Sequence, residues 1–255
     1  GKSLADDPTF AEAATPKKSP AVATVYAHLE GMMGWTEFDM KLRDDFIYFT
    51  GVCHETDTCF TFMNVLRQQE SVEGFPGEAL PSTAFYFTKQ GVTDWASLLS
   101  YGDMQETGVR TSDVRNRNRE LSHYLMENAG QELVACLFQR EDTLQEAAAV
   151  LSLSVSDVTE AERMLRSLIN TVSAEERGKT PLITFCYTAN KAYPVYRLPQ
   201  TTLFTQLTGF AEPTSHTYAT FYEGRLLLAP DENSLSRYIR QLDKGEVLNG
   251  AIAYR

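Results

Sequence analysis

Long apolar runs are missing from this 255-residue chain. No stretch of 18 apolar residues occurs, so the segment encodes no helical bilayer span and no direct membrane insertion is expected of it. No basic stretch leads into an apolar run near the start, so no signal peptide is read there. Positive charge is also scarce. Lys and Arg total 23 against 34 Asp and Glu, a formal net charge of -11. A field of that sign repels phosphate backbones and anionic headgroups, which argues against nucleic acid and membrane surfaces as partners. Cysteine is thin: Cys53, Cys59, Cys136 and Cys186, none at C-x-x-C spacing. Neither G-x-S-x-G nor S-x-x-K occurs, and only four histidines are scattered through the chain.

What is present is ordinary globular material. Hydrophobic residues make up 43% and charged residues 22%, enough for a real core and too apolar for a disordered chain. The chain opens at Gly1 without a methionine and closes on Ala251-Ile252-Ala253-Tyr254-Arg255 without a polar tail, and the expectation is a segment of a longer protein.

Hydrophobic periodicity gives the elements. Residues 1–20 form a polar lead with a helical turn near Pro8–Ala13 and a Lys17-Lys18-Ser19-Pro20 loop, and Ala21–Leu29 reads as a strand. Phe38, Met40 and Leu42 alternate with Asp39 and Lys41, which predicts a strand with one buried face. Arg43-Asp44-Asp45 turns it into Phe46–Val52, and Thr56-Asp57-Thr58 offers N-cap side chains to a helix carrying Phe62, Met63 and Leu66. A strand at Thr83–Thr88 and a short helix at Trp95–Leu99 follow. Ser112-Asp113 then caps a helix to about Ala129, with Gly130 as its C′ residue. Glu132–Gln139 and Ala147–Val155 form a second hairpin, whose return strand sets Leu151, Leu153 and Val155 on one face and Ser152 and Ser154 on the other, followed by a helix from Asp157 whose apolar positions recur at 3.6 residues. Strands at Leu182–Thr188 and Val195–Leu198 and a helix at Leu203–Leu207 lead to a third hairpin. This one pairs Thr217–Tyr222 with Arg225–Ala229 around Glu223-Gly224, and a helix capped by Asp231 or Asn233 ends at Lys244-Gly245.

Three times the chain runs hairpin, cap, amphipathic helix, with turns near residues 44, 143 and 224. The expectation is an α+β fold: antiparallel sheets built from repeated β-hairpin–helix units, with helices on one face. The expected division is a lead at 1–20, a first α+β module at 21–130 and a second at 131–255, packed together.

Three motifs bear on chemistry. Ser173–Thr180 ends in Gly-Lys-Thr as a phosphate loop does, but Ser173 stands where the first glycine must be, two glutamates lie inside, and a helix precedes it. The expected reading is a helix end followed by a turn. Cys53-His54-Glu55 with Cys59 offers zinc-ligand types, and His28, His123 or His216 would have to complete the set. A Cys53–Cys59 disulfide and a pair of free thiols in a polar loop explain the same residues. Arg110, Arg115, Arg117 and Arg119 form the only basic cluster and read as a solvated helix face, with an acidic or phosphorylated partner as the other reading. Cys136 and Cys186 sit in apolar runs as buried small hydrophobes. No catalytic, cofactor-binding or metal-binding residue is assigned, and no cofactor is expected.

Several stretches taken in order resemble an uncharacterised family of bacterial envelope proteins, a domain of unknown function. They are Tyr26-Ala27-His28-Leu29, Trp35–Met40, Asp45–Gly51, Leu80-Pro81, Gly130-Gln131-Glu132-Leu133, and Leu226–Ala229 leading into Ser234–Ile239. The order spans nearly the whole chain, and each piece consists mostly of turn and core positions. The resemblance implies a periplasmic or otherwise extracytoplasmic address and an anchor outside this segment, and it transfers no catalytic residue. The expected function is a non-catalytic envelope domain that binds a protein or glycan partner. The alternatives are a hydrolase with its site near residues 53–59, or a structural spacer.

Overall fold

The computed structural model describes residues 3–14, 21–44, 47–55, 60–105, 112–140, 143–170, 181–189, 191–209 and 217–250. Asp45, Thr56-Asp57-Thr58, Cys59, Arg110, residues 173–180 and His216, all singled out above, lie outside the described residues. The fold is α+β, with every strand pairing antiparallel. Two compact units divide at Gln69/Glu70. Positions 130–131, where the sequence pattern suggested a division, lie inside the strand Ala129–Arg140, which follows its preceding helix without a linker.

The first unit holds helix α1 (Pro8–Ala13), strands β1 (Ala23–Leu29), β2 (Met33–Leu42) and β3 (Ile47–His54), and helix α2 (Phe62–Arg67). The strands form one sheet in the order β1-β2-β3. Helix α1 starts at Pro8, whose missing N–H costs nothing at that position, and the Asp7 carboxylate caps it by accepting from Thr9 and Phe10 N–H. Helix α2 is capped by Thr61, whose Oγ1 accepts the Asn64 N–H at 3.2 Å.

The second unit holds β4 (Ala84–Gly91), α3 (Trp95–Gln105), α4 (Ser112–Asn128), β5 (Ala129–Arg140), β6 (Thr143–Val155), α5 (Val158–Asn170), β7 (Ile183–Tyr187), β8 (Ala192–Arg197), α6 (Leu203–Thr208), β9 (Tyr218–Tyr222), β10 (Arg225–Ala229) and α7 (Glu232–Asp243). Its strands form one seven-stranded sheet, β4-β5-β6-β10-β9-β8-β7.

Helices cover both faces of this sheet, which corrects the expectation of one. The period-2 geometry of the strands makes the point. Leu227 and Ala229 join Val134, Phe138, Val150 and the α7 residues Leu235, Tyr238 and Ile239 in one core cluster. Their neighbours Leu226 and Leu228 line the opposite side with Leu121, Leu125, Leu165 and Phe204 of α4, α5 and α6. The Tyr124 hydroxyl donates to the Ala161 carbonyl at 3.1 Å and ties α4 to α5 on that side. The two hairpins β5–β6 and β9–β10 therefore send their following helices, α5 and α7, to opposite faces.

Gly130 is a second correction. It lies in β5 and is not among the glycines with positive φ, so it caps nothing. A Cβ there would approach Ser154 Oγ to 2.6 Å, so a larger residue would have to displace that hydroxyl, and the Gly130 carbonyl accepts the Trp95 indole N–H at 3.0 Å. The β9–β10 turn does use left-handed backbone, with φ of 44° at Glu223 and 79° at Gly224.

Candidate functional site

In β2 and β3 alternate side chains fall on opposite faces of the first unit's sheet. One face carries Thr24, Tyr26, Trp35, Glu37, Asp39, Lys41, Tyr48, Thr50, Val52 and His54 by register, with Val52 its one exposed aliphatic side chain at 55%. Helix α1 packs there: the Phe10 ring meets Tyr26 and Trp35 edge-on with centroids 5.5 and 4.8 Å away, and the Trp35 indole N–H donates to Asp7 at 3.3 Å. The same face is polar further along, where Thr24 donates to Asp39 at 2.9 Å and the Lys41 ammonium lies 5.9 Å from the Tyr48 ring centroid.

The other face is apolar over most of its length, and several of its side chains are exposed. By register it presents the rows Ala23–Met40–Phe49, Val25–Phe38–Gly51 and Leu42–Ile47. Val25 is 46%, Leu42 54%, Ile47 60% and Phe49 54% exposed, while Phe38 and Met40 are half-buried. This reverses the usual arrangement, in which a sheet hides its apolar side and shows its polar one. The alternation of Phe38, Met40 and Leu42 was legible in the sequence, but the burial inferred from it is not realised.

At one end of the apolar face, residues 53–55 form a closed polar knot. The Glu55 carboxylate accepts from Gly34 N–H at 2.7 Å on one oxygen and from Thr61 Oγ1 at 2.7 Å on the other. Cys53 Sγ lies 3.1 Å from Glu55 Oε1 and 3.0 Å from Thr36 Oγ1. Burial pushes the Cys53 thiol up, and the neighbouring carboxylate adds to the rise, so this sulfur stays protonated at neutral pH and is a poor nucleophile. Burial also opposes charge on Glu55, but the Gly34, Thr61 and Cys53 hydrogen bonds and Arg67 outweigh it and hold the carboxyl below its ordinary value.

His54 projects to the opposite face from Cys53, so the two do not form a nucleophile–base pair. Its Nε2 is buried without a hydrogen-bond partner. Among the described residues no group of three or more His, Cys, Asp and Glu is placed to hold a metal ion. His28 stacks on Trp35 with centroids 5.3 Å apart, and His123 lies on α4 with Nε2 3.3 Å from Glu127. Cys59 and His216, which the zinc reading also drew on, lie outside the described residues. Cys136 and Cys186 are buried, as their apolar surroundings imply.

Of the four arginines, Arg110 lies outside the described residues and Arg117 is half-buried on α4. Arg115 and Arg119 are exposed, and Arg119 donates to Asn116 one turn away at 3.3 Å. That is a solvated helix face.

Glu55 works as a clasp between β2, β3 and the start of α2. Substituting Glu55→Ala is expected to raise the exchange rate of the Gly34 amide at least tenfold, read by hydrogen exchange. Because its folded pKa is lowered, the clasp contributes fully above the ordinary glutamate range and is lost as pH falls through the lower folded value. An unchanged Gly34 amide between neutral and acid pH would contradict this role.

No family model, curated protein or solved structure matches this chain.

Proposed function

We propose that this chain is a non-catalytic, extracytoplasmic domain of a membrane-anchored envelope protein that binds a protein partner on the apolar face of the β1–β3 sheet. The observation that carries the reading is the exposed apolar face, with α1 packed on the opposite, more polar face at Tyr26 and Trp35. A contiguous exposed apolar surface marks an interaction site more often than an accident of folding. Its chemistry favours protein over glycan. The rows from Ala23 to Phe49 present no hydroxyl, amide or charged side chain to orient a sugar, and aliphatic and aromatic groups suit an apolar protein surface. The envelope address rests on the order-of-motifs resemblance and is part of the proposal. The hydrolase reading finds less support, because the Cys53 thiol is held protonated and the Glu55 carboxylate is already engaged at both oxygens.

The test is site-specific photo-crosslinking in native cells. A benzophenone side chain at Phe49, on the apolar face, is expected to capture one reproducible envelope protein. The same group at Thr50, exposed on the opposite face, is expected to capture it at least tenfold less. Equal capture from both faces, capture of cytosolic proteins only, or no capture at all would overturn the proposal.

A further inference from the structure

The seven-stranded sheet ends on β7, and this edge has a composition that edges rarely show. Ile183-Thr184-Phe185-Cys186-Tyr187 contains no charge, no proline and no glycine, and its pairing with β8 shows no bulge. Protected edges carry one or more of those features, because unpaired N–H and C=O groups template the addition of another strand. The opposite edge of the sheet, β4, has them: Lys89, and a register shift between Ala84 and Tyr86.

The direction of the free groups on β7 follows from its neighbour. Arg197 N–H donates to the Leu182 carbonyl and Thr188 N–H to the Lys191 carbonyl, so the even-numbered residues bond to β8. Phe185 lies opposite Pro194, which has no N–H and whose carbonyl accepts from Thr220 of β9. The N–H and C=O groups of Ile183, Phe185 and Tyr187 therefore point away from the sheet. Among the described residues no strand pairs with them. The Phe185 and Tyr187 side chains are 51% and 64% exposed, with ring centroids 6.3 Å apart.

We infer that β7 pairs antiparallel with β7 of a second copy of this chain, about a two-fold axis at Phe185, to give one continuous fourteen-stranded sheet. The charges beside the edge select this occupant. Helix α7 runs along β7 in the same direction. Glu232 accepts from Thr184 Oγ1 at 2.9 Å at one end, and Arg240 Nε donates to the Tyr187 carbonyl at 3.3 Å at the other. A two-fold axis at Phe185 reverses the second copy, so Glu232 of each chain comes to the end that carries Arg240 of the other. The edge is thus complementary to itself in charge as well as in hydrogen bonding. On pairing, the N–H of Ile183 in one copy takes over the Tyr187 carbonyl of the other, and the guanidinium released from that carbonyl turns to the incoming carboxylate. A generic extended peptide would satisfy the backbone groups but would leave both charges unanswered.

The test uses the full chain. Sedimentation velocity from about 1 to 100 μM is expected to show a monomer–dimer equilibrium. Phe185→Lys sets like charges on the axis and is expected to raise Kd at least about tenfold, with an unchanged circular dichroism spectrum and melting temperature. Register gives a second readout. Phe185→Cys is expected to form an intermolecular disulfide under mild oxidation, because position 185 faces itself at a Cα separation of about 5.5 Å. Tyr187→Cys, which faces Ile183 of the second copy, is expected to form far less. A monomer at every concentration, a dimer indifferent to Phe185→Lys, or equal crosslinking at 185 and 187 would overturn the inference.

Discussion

Phe138→Ala is expected to destabilise the seven-stranded unit by about 3–5 kcal/mol, measured by urea unfolding. Phe138 is fully buried on the α7 face of β5, in one core cluster with Val150, Leu235 and Ile239 and edge-on to Tyr238 with centroids 5.9 Å apart. Truncation removes the ring's transfer energy and leaves a cavity between sheet and helix that the crossing strands cannot close. Domains of this size are stable by only about 5–15 kcal/mol, so the loss is a large share of the total. Phe85→Ala is the control. That ring is 56% exposed on β4, and its removal is expected to cost less than about 1 kcal/mol. A loss below about 1 kcal/mol for Phe138→Ala would contradict the packing of α7 on this sheet.

Glu132→Leu is expected to cost about 3 kcal/mol through an ion network that crosses four strands. Glu132 on β5 accepts from Arg225 of β10 at 2.6 Å on one carboxylate oxygen and lies 3.2 Å from the Lys89 ammonium of β4 on the other. Arg225 also donates to Ser152 Oγ of β6 at 2.5 Å, and Lys89 to the carbonyls of Glu73 and Gly74 at 2.5 and 2.8 Å. Removing the carboxylate takes the counter-charge from two cations whose side chains are less than a quarter exposed. Burial opposes the charge on Glu132, but Arg225 and Lys89 outweigh it and hold the carboxyl below its ordinary value. The sign follows: this stabilisation is complete above the unfolded glutamate pKa and is lost as pH falls through the lower folded one. Glu132→Gln should flatten the acid limb of a stability–pH curve, and a limb that keeps its slope would assign the acid sensitivity elsewhere.

Much of this fold was legible because its signals are local. The Ser152 and Ser154 alternation with Leu151 and Leu153, the Asp231 cap and the Glu223-Gly224 turn each depend on neighbouring residues alone, and each is found where the pattern put it or within a residue or two. Which face a helix covers is different. Val134-Ala135-Cys136 and Leu226-Leu227-Leu228 are continuous apolar runs, and such runs announce burial on both sides. The serines of β6 interrupt such a run, yet Ser152 is buried and accepts from Arg225. The open face of β1–β3 was hidden for the converse reason. Period-2 alternation identifies an apolar side but says nothing about what, if anything, lies on it. The Cys53–Glu55 stretch was conspicuous in sequence for its residue types, and only the strand's alternation, which sends His54 away from its neighbours, separates them.

The strand order also bears on how quickly the protein reaches its native state. Strands β5–β6 and β9–β10 are adjacent in sequence and join through short turns, so each pair can form on the microsecond scale. The seam between them, Leu151–Ser154 of β6 against Arg225–Leu228 of β10, joins segments separated by roughly seventy residues. Closing that loop is an entropic cost met before any of the central contacts form, and it lies at the middle of the sheet rather than at its rim. Refolding should therefore be limited by this one junction. A covalent cross-link that holds β6 near β10 in the unfolded chain would remove that cost and accelerate folding.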